Sequence, residues 1–365
     1  MIGYVLYRMI LGFFWMQLKH PVHFVCPNEI VWPELRNWSG TRIDDQALSD
    51  RSGGILHSWV LRTYYQLRLT GEAVTLSDSL RRDAINVVSV RDFGRKQRDP
   101  LSFLVIPQGD AHHSQLANFR ILQNGVRPPD ADASVIWHWP QPGIIPRDPS
   151  RGNRFETLCF KGRLNNLDDR LKSDRFATEL NKLDVLFDVD AYLGLRGEHN
   201  WNNYFNADAV LALRNLTYYD AAKKPASKLV NAWFADTPAL LGPEPAYREL
   251  GTPGENYLEI RSPSDALQAV AALRDNPSFF WKIVGNGRKS RENYTEHALT
   301  KLWIETLNGP ISDAFCRWQS FSAWQRILKA VPGLLAENNA KQKDQVALRS
   351  GRRLLEDVTT RETSV

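Results

Sequence analysis

The chain has little of what marks several common classes. It has three cysteines in 365 residues, Cys26, Cys159 and Cys316, far apart and with no C-x-x-C pair. That excludes a disulfide scaffold or a cysteine zinc site and fits a reducing compartment. It has no apolar run near the roughly 20 residues needed to cross a bilayer. Its longest, Ile2 to Met16, is interrupted by Arg8 and followed by no small-residue cleavage site, so it reads as a buried element or an interfacial anchor. The mean hydropathy of −0.40 excludes a polytopic membrane protein. No G-x-G-x-x-G follows a strand-like run, and Walker A, H-E-x-x-H and G-x-S-x-G sequences are lacking. A dinucleotide oxidoreductase, a P-loop NTPase, a zincin and an α/β-hydrolase therefore lose support.

What is present is ordinary in bulk and patterned in detail. Hydrophobic residues make up 43% and charged residues 24%, enough apolar material for two cores. The net charge is +5, which suits an anionic ligand. Nucleic acid would require basic residues gathered in one stripe. In the C-terminal tail Lys341, Lys343, Arg349, Arg352 and Arg353 are interleaved with Glu337, Asp344, Glu356 and Asp357, so the tail reads as an exposed helix and no nucleic-acid partner is expected.

Short β-branched runs alternate with helical patterns. Ala73–Leu76, Ile85–Val90, Phe103–Ile106 and Val135–His138 read as strands, His57–Leu69 and Ser114–Leu122 as helices. Trp139–Gly152, with its prolines, reads as a stiff connection. Beyond it, Phe155–Phe160, Val185–Val189, Ala209–Leu213, Pro238–Leu241 and Tyr257–Ile260 read as strands. Asp168–Leu183, Lys228–Ala235 and Ser264–Arg274, the last capped by Ser264, read as helices, and everything from about Phe279 as helical. Such alternation predicts two α/β, Rossmann-like domains facing a cleft. The expected division is 1–145, an acceptor-side domain; 150–310, a ligand-binding domain; and 311–365, C-terminal helices that cross back to the first domain.

The stretch Lys223–Leu250 is the most informative. Ser227 is expected to cap a helix beginning at Lys228, with Lys224, Lys228 and Arg214 near its start, an arrangement that attracts phosphate. Glu244 stands before a second helix opened by Pro245, and Glu249 lies one turn on. These carboxylates suit sugar or ribose hydroxyls; the plain alternative is capping and surface charge. Asp188-Val189-Asp190 at a strand end offers the spacing of a divalent-cation site, a weak signal that a polar strand end also explains. Asp110 and His112, in the loop after Phe103–Ile106, are candidate general bases, with His20 and His23 weaker ones. The 12 tryptophans read chiefly as core, with a sugar-stacking platform as the alternative.

Lys224-Pro225, Lys228-Leu229, Ala232-Trp233, Pro238-Ala239, Gly242, Glu244 and Ala246–Leu250 together resemble the donor-binding region of GT-B-fold, nucleotide-sugar-dependent glycosyltransferases. The similarity extends more weakly over about Gly71 to Pro277. It implies a hexosyltransferase-type enzyme that needs no metal or cofactor and takes the nucleotide sugar as co-substrate. Arg163, Arg214, Lys224, Ser227 and Lys228 would meet the diphosphate. Glu244, Ala246, Tyr247 and Glu249 would meet the sugar or ribose, with Asp110, His112 and Glu244 as catalytic candidates. The hinge near Pro140–Pro149 would let the cleft close. The acceptor would be a glycan, a lipid or a small molecule, and the location cytoplasmic, with peripheral membrane contact through the apolar N-terminus. Asp236 and Asn231 stand where the commonest retaining members carry glutamate. That departure, and an opening segment unlike a usual first Rossmann strand, leave open an epimerase or phosphorylase of the same fold, or a non-catalytic GT-B-like binding protein.

Overall fold

The structure, a computed structural model, describes residues 17–26, 32–36, 38–126, 130–192 and 201–355. The apolar run Ile2–Met16, and Glu356 and Asp357, lie outside them. Two fully parallel sheets organise the chain. The first takes the order β2-β1-β3-β4-β5-β6. Its strands are β1 (Val22–Val25), β2 (Thr75–Ser77), β3 (Ile85–Val88), β4 (Phe103–Pro107), β5 (Phe119–Leu122) and β6 (Ala133–Val135). The second takes the order β11-β10-β9-β7-β8. It comprises β7 (Thr157–Arg163), β8 (Leu186–Tyr192), β9 (Ala209–Ala212), β10 (Ala239–Leu241) and β11 (Leu258–Glu259). In both, the first strand of the domain lies between the second and the third. That is the doubly wound pattern, whose ligands sit at the carboxyl ends of the strands flanking the reversal.

The central strands are apolar on both faces because helices cover both. β1, β3, β4 and β9 are buried throughout. Helix α1 (Arg62–Leu69), preceded by a π-helical turn at Leu56–Leu61, packs on the first sheet. Helices α2 (Asp174–Asn181), α3 (Ser227–Phe234), α4 (Pro245–Leu250), α5 (Pro263–Asp275) and α6 (Pro277–Arg291) belong to the second domain.

Four sequence expectations change. Ser114–Leu122 yields a strand at its end, β5, because Phe119 and Ile121 complete the core beside β4. β1 escaped notice because His23 interrupts its apolar run. The buried imidazole is satisfied by Thr75 Oγ1 at 2.8 Å, Ser77 Oγ at 3.0 Å and Ser79 O at 2.9 Å, so it is a core group rather than a catalytic one. Ser262, not Ser264, caps α5, accepting from Asp265 N at 3.1 Å. Finally, the chain returns to the first core well before residue 310. Leu299, Trp303, Ile304 and Leu307 already pack there from α7 (Glu296–Thr306) and the turn after it, followed by Phe315 and Trp318 of α8 (Ser312–Gln319).

Among the described residues six of eleven tryptophans, Trp32, Trp59, Trp139, Trp233, Trp303 and Trp318, are buried in the cores. Helix α9 (Ala323–Ser350) then runs back along both domains, and Leu354 and Leu355 end in the second core.

Candidate functional site

The site begins where the second sheet reverses, between β7 and β9. Arg214 follows β9, and its guanidinium grips Glu244, which follows β10: Nε reaches Oε1 at 2.8 Å and the second nitrogen bonds Oε2. Both side chains are essentially buried. Burial opposes the charge on Arg214, but Glu244 overcomes it and holds its pKa above the ordinary value. Tyr247, fully buried in the first turn of α4, is pushed up by burial and by Glu244, and lies 3.4 Å from Arg214. Ala246 packs beside it in the core. Glu244 therefore positions Arg214 and is not held out as a sugar-gripping carboxylate.

Lys228, in the first turn of α3, sits on the same spot. Its ammonium donates to the carbonyl of Lys161 near the end of β7 and lies 5.2 Å from the Phe160 ring. An added Cβ at Gly162 would meet Nζ at 3.0 Å, so glycine there leaves the ammonium its room. Burial, and next the charge of Arg214, lower the Lys228 pKa to about 7. Lys228 forms no ion pair among the described residues. Ser227 is the first residue of α3 and does not cap it; Ala226 occupies the cap position, and no side chain among the described residues caps the helix. Arg163 lies at the exposed end of β7.

The other candidates are drawn into contacts between the domains. Lys224 pairs with Asp110 and with Asp220, each at 3.2 Å. Burial raises the Asp110 pKa, but Lys224 and Gln123 outweigh it and leave the carboxyl below its usual range. That makes Asp110 a weak proton acceptor. Gln123 donates to Asp110 and to Lys223 O, and Asn124 donates to Ala222 O at 3.0 Å and Lys224 O at 2.9 Å. A small cavity of about 20 Å³ lies at this seam, between Gln108, Gln123, Asn124 and Lys223. Glu249 accepts from Gly125 N at 2.7 Å, bridging to the first domain. His112 Nε2 meets Glu337 of α9 at 2.6 Å, so this nitrogen is held by a buried carboxylate.

The proline-rich connection is docked rather than loose. Gln141 N donates to Asn231 Oδ1 at 3.0 Å, Ile145 bridges to Asn203, and Arg147 Nε bonds Asp208 at 2.9 Å. Asn231 thus positions the connection, while Asp236 is held by Arg288 at 2.8 Å and Arg291 at 3.1 Å. Among the described residues no group of three or more metal-ligating side chains converges, and the side chain of Asp190 lies outside them.

Sequence reasoning missed His138. Its Nδ1 lies 2.7 Å from Trp139 O, so Nδ1 carries the proton and Nε2 the lone pair. Burial, and the nearby Arg62, lower its pKa, and Asp110 lies close enough to raise it slightly. A histidine between the two domains' sequences was the available signal.

A strand-reversal site with paired and unpaired cations facing a second α/β domain can be compared with known folds. The fold is similar to glycosyltransferase structures. The structure of Anabaena Alr3699/HepE in complex with UDP matches at 11% identity with a TM-score of 0.48, over 79% of this chain and 99% of that one. AviGT4, a glycosyltransferase involved in avilamycin A biosynthesis, matches at 15% with a TM-score of 0.47, over 81% and 99%. TarM matches at 11% with a TM-score of 0.45, over 68% of this chain and 58% of TarM, so the chain spans little more than half of that protein. No protein-family model and no curated protein sequence matches. No helix among the described residues is long and apolar enough to cross a membrane.

Proposed function

We propose that the chain is a GT-B-type glycosyltransferase that moves a hexose from a nucleotide-diphosphate sugar to a hydroxyl acceptor without a metal ion. The observation that carries this reading is Lys228, an ammonium with a pKa near 7 and no carboxylate partner among the described residues, beside the fixed Arg214–Glu244 pair at the strand reversal. A diphosphate arriving there would favour the charged form of Lys228. Negative charge then grows on the leaving diphosphate as the glycosidic bond to it breaks. Cations already in place stabilise that charge without rearranging. Arg214 is preorganised by its bidentate grip on Glu244. For the acceptor's proton, His138 Nε2 joins the candidates, its Nδ1 being committed to Trp139 O, beside His112, which Glu337 orients, and Asp110, whose low pKa makes it the weakest acceptor of the three.

The tight seam and the structural engagement of Asn231 and Asp236 favour one second reading, a GT-B-like protein that binds without transferring. Titration calorimetry with uridine, guanosine and adenosine diphosphates, followed by a transfer assay with the matching nucleotide sugar, separates the two. Binding with transfer supports the enzyme, binding alone the second reading, and no binding to any of the three removes both.

A further inference from the structure

Helix α9 presents two faces of opposite character. Inward, its buried residues are Glu337 and Asp344. Glu337 accepts from Gln115 N at 2.7 Å and Ser114 Oγ at 3.2 Å in the first domain, besides meeting His112. Asp344 accepts from Tyr219 OH and Lys223 Nζ of the second, both at 2.7 Å. Gly333 lies so close to the first domain that an added Cβ would meet Gln115 O at 2.1 Å. These contacts fix the rotation of the helix.

The outward face is therefore imposed, and it is apolar. Trp324, Leu328, Val331 and Leu335 follow one another at helical spacing, 67%, 53%, 40% and 70% exposed. Val346 continues the line at 62%. Water-facing residues of this size in one row are not explained by folding, since the core lies on the other side of the helix.

The charges on this helix are sorted as well. Both of its carboxylates, Glu337 and Asp344, are turned inward and bonded, so the exposed charges are cationic: Lys329, Lys343 and Arg349. Arg326, which donates to Phe321 O at 2.9 Å and Gln319 O at 2.7 Å, and Lys341, 3.9 Å from Glu337, are half-buried. Arg326 and Lys329 lie 4.1 Å and 4.4 Å from the Trp318 and Phe321 rings. No aspartate or glutamate occurs between Ala314 and Ala336. Beside the helix, Arg95, Lys96 and Lys341 line a groove of about 590 Å³ that also contains Leu334 and Asn338 and, among the described residues, no carboxylate.

We infer that this face of α9 seats the protein on an anionic phospholipid surface, with Trp324, Leu328, Val331 and Leu335 entering the interface and the cations and basic groove meeting phosphate headgroups. An apolar row flanked by cations is the pattern of a helix lying in that plane. A second copy of the chain fits poorly, because the like-charged flanks would face one another. Nucleic acid would meet the cations but leaves the aliphatic row without a partner. The inference stands whether or not the cleft transfers sugar.

The test is co-sedimentation of the full chain with vesicles of phosphatidylcholine alone and of equimolar phosphatidylcholine and phosphatidylglycerol. Binding to the anionic vesicles is expected, weakened by salt and much weaker on neutral ones. The double variant Leu328→Asp, Leu335→Asp should abolish it while the melting temperature stays unchanged, both positions being exposed. Lys329→Gln with Lys343→Gln should weaken it by about fivefold per cation removed. Absence of vesicle binding overturns the inference. So does undiminished binding by the Asp variant, which would assign the contact to the apolar residues 2–16. Duplex DNA bound as tightly as vesicles and displacing them, or a dimer in light scattering that the Asp variant dissolves, would equally overturn it.

Discussion

On the second-domain wall of the cleft, Arg214 and Glu244 satisfy one another and Lys228 rests on a backbone carbonyl. On the first-domain wall, Asp110, Gln123 and Asn124 reach across to the other domain, and His112 is held by α9. One wall keeps a lysine with no counter-ion among the described residues close to a fixed pair; the other uses its polar groups to hold the domains together. The difference separates residues that can receive a ligand from residues whose loss would be felt as instability. A charged residue near a cleft is thus to be weighed by its partners: one paired within its own wall, like Arg214, stays fixed at the site, whereas one paired across the domains is tied to their contact.

Four substitutions sharpen or break that contrast. The largest effect is expected from Arg214→Ala, which strands the buried Glu244 charge. Removing one partner of a buried pair costs about 3–5 kcal/mol, read as a large drop in denaturant midpoint. A drop no bigger than that of a surface variant would mean the pair is not what organises this wall.

Lys228→Ala comes next and should act on ligand rather than fold. Losing one charge-assisted hydrogen bond is expected to weaken nucleotide-diphosphate binding by about 1.5–3 kcal/mol. With a folded pKa near 7 against an ordinary 10.5, the lysine is largely neutral in the free protein above pH 7. Nucleotide affinity should therefore fall as pH rises through 7, with protons taken up on binding. The unfolded chain keeps that proton up to about 10.5, so the free protein gains stability between pH 7 and 10.5. The alanine variant should lose that slope, and an unchanged slope in calorimetric melts at several pH values would remove Lys228 as its source.

Glu337→Ala should cost about 1–3 kcal/mol by stranding the donors that face it. Burial raises the Glu337 pKa, but the bonds from His112, Gln115 and Ser114 pull it below 4.5. Its stabilisation is therefore complete above pH 4.5 and lost as pH falls below that value, and the variant's acid-unfolding curve should be correspondingly flatter. Nucleotide affinity should be untouched; a change in it would blur the distinction between the walls.

The smallest effect belongs to Asp110→Asn. Its carboxylate is partly exposed, and the pair with Lys224 should contribute about 0.2–1 kcal/mol. If transfer collapses while the melting temperature holds, Asp110 acts in the reaction and the first-domain wall is more than a seam.

Much of the fold was legible. The runs at Ile85–Val88, Phe103–Pro107 and Ala209–Ala212 are strands because parallel strands covered on both faces need continuous apolar sequence. Helices α3 and α4 begin within a residue of where Pro225, Lys228 and Pro245 place them. β5 was misread because the four-residue FRIL run carries no period that tells strand from helix. Within the site, the cluster of Arg214, Lys228, Glu244 and Tyr247 was legible as a set, yet its pairing was not. His138 went unnoticed because its position depends on how the connection docks on Asn231 and Asp208.

The sequence by itself determined the alternation of strand and helix, and with it two parallel sheets, because periodicity and apolar runs act over a few residues. Only the tertiary structure decided which charges neutralise one another. Glu337 and His112 stand 225 residues apart and Arg214 and Glu244 stand 30 apart. The signs that alternate along the C-terminal helix separate into an anionic inner face and a cationic outer one once that helix is packed. Electrostatic partnership is a matter of distance in space and of exclusion from water, and neither is written in the order of the residues.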